Sequence, residues 1–153
     1  MTDKTVKMRV NVAGYTGKAV SLYCAYDAET DVLLIAKEGV YEAKPREGFL
    51  RVTNQDRDET YDAVFPEDET REAINAFFSL DAMNVLSLTD TMKRHDPKNR
   101  IERDGMDERG MRYKIDPSIT NGQLAVLIAC YYAKRQKNVA SVAGFMEYVL
   151  HEI

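Results

Sequence analysis

Val6, Met8, Val10 and Val12 alternate with Lys7, Arg9 and Asn11. Side chains of a strand point in turn to opposite faces, so this spacing predicts a strand with one apolar and one polar face. Gly14-Tyr15-Thr16-Gly17 reads as a turn. Val20, Leu22, Cys24 and Tyr26 then repeat the alternation. After a polar break at Asp27–Asp31, Val32–Ala36 is apolar on both faces and predicts a third strand. Val40–Ala43 extends the pattern weakly until Pro45, and Phe49–Thr53 and Thr60–Phe65 flank the polar turn Asn54–Glu59. The expectation is an antiparallel sheet of five or six strands between Lys4 and Phe65.

Beyond Pro66 the period changes from two to between three and four. Pro66 and Asp68 mark a helix start, with acids where the helix dipole favours them, and Ala73, Ile74, Phe77 and Phe78 form an apolar face. Asp81 is expected to cap a second helix reaching Arg94, with Val85, Leu88 and Met92 as its stripe.

Leu124–Ala133 is the longest uninterrupted apolar run. Its flanks favour a helix over a strand. Thr120 and Gln123 have capping-box spacing, and Lys134, Arg135 and Lys137 complement the negative end of the dipole. Asn138 is read as the stop. Val139, Val142, Met146, Val149 and Ile153 then give one more apolar stripe, so the last two helices are expected to pack as an antiparallel hairpin. The fold expectation is therefore α+β: the sheet packed against about four helices.

Composition keeps this within one domain spanning residues 1–153, sheet-rich over 4–65 and helical over 66–153. The chain has 153 residues, 44% hydrophobic and 30% charged, ordinary values for a folded protein with a core of its own. The net charge of −4 argues against a general nucleic-acid coat but leaves room for a local basic patch. Cys24 and Cys130 each lie in an apolar pattern and read as reduced core residues, which suggests a cytoplasmic setting. The first residues lack the apolar core of a signal peptide. No apolar run approaches the roughly 20 residues that cross a bilayer, so no membrane association is expected.

Charge changes the picture in one place. Residues 95–117 are rich in both signs, bracketed by Pro97 and Pro117, and read as a charged surface loop. A hairpin pairing Ile101–Arg103 with Met111–Lys114 fits its few apolar anchors. Arg94, His95, Arg100, Arg103, Arg109, Arg112, Tyr113 and Lys114 are the candidate binding residues. Arginine forks match carboxylate or phosphate, and Tyr113 can stack on a base or a guanidinium plane.

Other chemistry is weaker. His95-Asp96 is the one place for a proton-transfer pair. Two histidines and two scattered cysteines do not make a zinc site, and no metal or cofactor is expected. Asp31 with Glu42-Ala43-Lys44 matches a short metal-nuclease pattern that chance produces readily. Gly14–Lys18 lacks Walker spacing and is followed by strand periodicity. The final stripe is flanked by Glu147 and Glu152, the wrong charge for a helix that reads DNA.

The expected function is a non-enzymatic intracellular module that binds another protein through the charged loop: an accessory, adaptor or inhibitor protein of the kind phages and mobile elements carry. A nucleic-acid-associated protein using the basic residues between positions 94 and 114 is the second reading. A metal-dependent nuclease or hydrolase is the third.

Overall fold

The computed structural model describes residues 5–41, 49–55 and 61–152, with side chains of the last helix described as far as Gln136. Six strands form one mixed sheet: β1 (Thr5–Val12), β2 (Val20–Asp27), β3 (Leu33–Gly39), β4 (Leu50–Thr53), β5 (Ala63–Val64) and β6 (Leu86–Leu88), in the order β5-β4-β1-β2-β3-β6. A separate two-stranded ribbon joins β7 (Ile101–Asp107) to β8 (Gly110–Ile115). Two α-helices, α1 (Thr70–Ala82) and α2 (Asn121–Glu152), complete the α+β fold, with single 3-10 turns at Glu67–Glu69, Lys93–His95 and Lys98–Arg100.

The predicted alternation sets the layers. Met8, Val10 and Val12 lie opposite Cys24, Leu22 and Val20. With Leu33, Ile35 and Val52 they bury one face of the sheet. Ala73, Ile74, Phe77 and Leu80 of α1 join that core, and so does every residue from Leu124 to Ala133. A helix apolar on all sides must be enclosed by protein, and this stretch is. The capping box is formed: the Thr120 N–H donates to Gln123 Oε1 at 3.0 Å, and the Gln123 N–H donates to Thr120 Oγ1 at 3.1 Å.

The expected all-antiparallel sheet holds only for β1, β2 and β3. β4 pairs parallel to β1, β5 parallel to β4, and β6 parallel to β3. The next strand after β3 is not beside it but on the far side of β1, where β4 runs in the direction of β1 and β3. The link is longer than the two to five residues of a hairpin loop.

The helix expected over Asp81–Arg94 does not form. α1 runs through Asp81 and ends at Ala82, and Asn84 adopts φ 60°. The Asn84 N–H bonds to Asp81 O at 3.0 Å, and the Val85 N–H to Leu80 O at 3.1 Å. This Schellman arrangement satisfies the last carbonyls and turns the chain out of the helix. Leu86 and Leu88 then add a strand to the sheet edge, opposite Leu33 and Ile35. The left-handed Asn84 is testable. Asn84→Gly is expected to leave the urea midpoint nearly unchanged, whereas Asn84→Val costs about 1–2 kcal/mol from Cβ crowding. Equal midpoints for the two variants would refute this account of the turn.

Asn138 does not stop α2, so the last two expected helices are a single one, and the described residues form two α-helices rather than about four. Asn costs a helix well under about 1 kcal/mol, and no Pro lies within α2 to break it. At about 1.5 Å per residue, the 32 residues of α2 span roughly 48 Å. The stripe side chains from Val139 onward lie outside the described residues. Among the described residues no helix is long and apolar enough to cross a membrane.

Candidate functional site

Residues 95–117 are not an irregular loop. Ile101 pairs with Ile115, Glu102 with Lys114 and Arg103 with Tyr113; after a bulge, Met106 pairs with Met111. The bulge holds Gly105 at φ +82°, a conformation that costs glycine little. Ile101, Tyr113 and Ile115 turn toward the core, and Tyr113 stacks on Phe78 of α1 with ring centroids 5.6 Å apart. Arg112 and Lys114 alternate with them on the outer face and are exposed.

Arg71 of α1 holds the ribbon's tip. Its guanidinium grips Asp107 through Nη1 at 3.0 Å and Nη2 at 2.6 Å. Nε donates to Met111 O at 3.0 Å, and Nη2 also donates to Gly110 O at 2.9 Å. Asp107 accepts the Arg109 N–H as well, at 2.8 Å. The Arg71 hydrogen bonds first, and the Arg109 N–H second, hold the Asp107 carboxyl well below its ordinary range, at about 2. At the foot of the ribbon, Arg100 lies 3.7 Å from Asp116.

The eight candidate residues do not form one cluster. Arg100, Arg103, Arg109, Arg112, Tyr113 and Lys114 belong to the ribbon or its foot. Arg94 and His95 turn away toward the end of β3. Arg94 Nη2 lies 2.8 Å from Glu38 Oε2, and His95 Nε2 lies 3.0 Å from Glu38 Oε1. With its proton on Nε2, His95 donates to that carboxylate. His95 and Asp96, the one place for a proton-transfer pair, make no side-chain contact with each other among the described residues. Asp96 Oδ1 instead accepts the Lys98 N–H at 2.9 Å, closing its own turn.

His95 is 8% exposed, and its ring lies directly on Gly122. A cleft of about 300 Å³ beside it is lined by Lys18, Glu38, Arg94, Asn121 and Gly122, among others. Although it opens at the start of α2, the helix is capped from within the chain. The Asn121 N–H bonds to Thr16 O at 2.9 Å, and the Leu124 N–H to Thr120 O at 3.0 Å. The Asn121 side chain accepts the Tyr15 N–H at 2.9 Å and donates to Gly17 O and Lys18 O at 3.0 Å each. The group ties the β1–β2 turn, β3 and the 93–95 turn to α2. Glu38, Arg71, Asn121 and Gly122 carry this architecture, and none was singled out from the sequence. The cue available there was the Asn-Gly pair between the Thr120 cap and the apolar run.

The nuclease pattern gains nothing. Asp31 accepts a bond from Tyr26 OH at 2.9 Å, and Glu42 and Lys44 lie outside the described residues. Among the described residues no group of three or more His, Cys, Asp or Glu side chains is placed to hold a metal. Cys24 and Cys130 are buried free thiols; burial pushes Cys24 up to about 12 and Cys130 upward as well, which leaves both unreactive.

Compared with protein-family models, curated proteins and solved structures, the chain matches none.

Proposed function

We propose that the chain is a non-enzymatic protein-binding module, an accessory, adaptor or inhibitor protein, whose partner docks on the exposed β7–β8 ribbon. One observation carries this reading: Arg103, Arg112 and Lys114 make no ion pair among the described residues, while Arg94, Arg100 and Arg109 each face an acid of the same chain. Three cations outside any ion pair among the described residues, on a ribbon clamped at its tip, favour a partner surface with acids placed opposite them, and the clamp lowers the ordering cost of binding. Met106, 70% exposed, adds an apolar contact beside them. The free, buried thiols accord with a reducing, cytoplasmic setting. A uniformly anionic nucleic-acid backbone suits this ribbon less well than a patterned protein surface, because Glu102, Asp104 and Glu108 are interspersed with its bases.

The test is affinity capture from native cells, with the parent beside Arg103→Glu/Arg112→Glu/Lys114→Glu. The parent retains a stoichiometric protein partner. The triple variant, with an unchanged urea midpoint, binds it on the order of a hundredfold or more weakly, since like charges across an interface cost several kcal/mol. A parent that retains no such protein, or a variant that holds it equally well, overturns the proposal.

A further inference from the structure

The sheet face turned away from the helices has a chemistry of its own. Arg9 pairs with Arg51 on one side and Tyr23 on the other, and Tyr23 pairs with Lys37, so these four residues form a row across β4, β1, β2 and β3. In the next row Lys7 faces Ala25, which faces Leu34. Arg9 is buried; it donates to Ser21 Oγ at 2.6 Å and Val40 O at 2.9 Å, and its guanidinium carbon lies 4.6 Å from the centre of the Tyr23 ring. Lys37 Nζ lies 5.0 Å from the same ring, and Phe49 meets it edge-on at 5.7 Å. Gly39 leaves room for this ring: a Cβ there would collide with Tyr23 Cε2. Arg51 is taken by Asp62 at 3.5 Å. Lys7 and Lys37 are exposed and have no carboxylate partner among the described residues.

Between those lysines runs a groove of about 490 Å³, lined by Ala25, Ala36, Tyr23 and Phe49 as well as the lysines themselves. Small residues leave a shallow slot on this sheet face, two aromatic rings line it, and both lysines belong to its lining. The ligand that complements this is anionic, planar and extended. Two strand spacings and two residue steps put Lys7 and Lys37 about 12 Å apart along the backbone, too far for one phosphate to bridge. We propose that this groove binds single-stranded nucleic acid, with Lys7 and Lys37 on separate backbone phosphates and a base against Phe49 and the Tyr23 wall. Stacking and phosphate contact together are how sheet platforms hold single strands. The overall acidity of the chain is no obstacle, because the contacts are local. The site shares no residue with the ribbon, so the two readings stand or fall separately.

Fluorescence anisotropy with labelled oligothymidylate and oligouridylate, titrated at several salt concentrations, tests this. The parent binds, and the logarithm of its affinity falls linearly with that of the salt concentration. Lys7→Ala/Lys37→Ala weakens binding and makes the slope shallower by about 1.4, the value for two lost single-strand phosphate contacts. Phe49→Leu weakens binding by about tenfold, through lost stacking, with the slope unchanged. The ribbon triple variant binds as the parent does, and an oligoglutamate peptide does not compete. Urea midpoints near the parent's show that the variants are folded. A parent that fails to bind at low salt, a double lysine variant with the parent's affinity and slope, loss of binding in the ribbon variant, or equal competition by oligoglutamate overturns the inference.

Discussion

Gly122→Ala is expected to destabilise the protein by about 1–2 kcal/mol, although alanine is the better helix former. On propensity alone the change favours the folded state by about 0.5–1 kcal/mol. Against this, the new Cβ would penetrate Nδ1 and Cε1 of His95 and stand 2.7 Å from its Cγ. The ring has little room to retreat. The side chain is 11% exposed, held to Glu38 at 3.0 Å, and carried on a 3-10 turn whose His95 N–H bonds to Met92 O at 2.9 Å. Overpacking of this kind costs about 1–3 kcal/mol and here also breaks the bond to Glu38. The decisive form is a double-mutant cycle. In a His95→Ala background the clash is gone, so Gly122→Ala becomes neutral or stabilises by up to about 1 kcal/mol, giving a coupling on the order of 2 kcal/mol. Urea midpoints of the four proteins measure it. Additive effects, or stabilisation in the parent background, would show that the His95–Gly122 contact does not constrain the start of α2.

That contact also marks where reading the chain locally stops working. The strands β1 and β2, the face of α1 and the Thr120–Gln123 box are written in spacings of two to four residues, and they form as those spacings predict. The end of α1 depends on Asn84 taking a left-handed turn, and helical spacing through Val85, Leu88 and Met92 concealed it. Leu86 and Leu88 suit a strand equally well, and what decides is the vacant edge of β3, which local periodicity does not reveal. The same holds for the candidate residues. Arg94 and His95 adjoin the ribbon in sequence, yet their partner is Glu38, and the ribbon's clamp is Arg71 in α1. Alternation at Met111, Tyr113 and Ile115 was enough to suggest a hairpin but not its anchor. Strict alternation of Lys7 and Arg9 with apolar residues likewise marked a polar strand face. The register with Tyr23 and Lys37 is what makes it a basic, aromatic surface.

Arg71→Met is expected to free the ribbon's tip while leaving the sheet and α2 intact. Methionine keeps much of the side chain's apolar bulk but removes the Arg71 donors to Asp107, Gly110 and Met111. Hydrogen exchange should therefore show the amides between Met106 and Met111 losing protection first, with those of Leu124–Ala133 unchanged. Arg71→Lys does not restore protection, because a single ammonium cannot reproduce a planar fork that serves a carboxylate and two carbonyls together. Acid should imitate the substitution. The Asp107 carboxyl is held at about 2 in the folded chain, below its unfolded value near 4. Its contribution is therefore complete above about pH 4 and is lost as the pH falls toward 2. Asp107→Asn should remove this acid sensitivity at the tip. Because Arg71 holds the ribbon's tip, its loss should also weaken docking on Arg103, Arg112 and Lys114 while leaving those three residues in place, by returning the ordering cost to the binding step. Uniform loss of protection across the chain would mean that Arg71 supports the whole fold. Unchanged protection at the tip would mean that Tyr113 on Phe78 and the ribbon's foot hold it without the clamp.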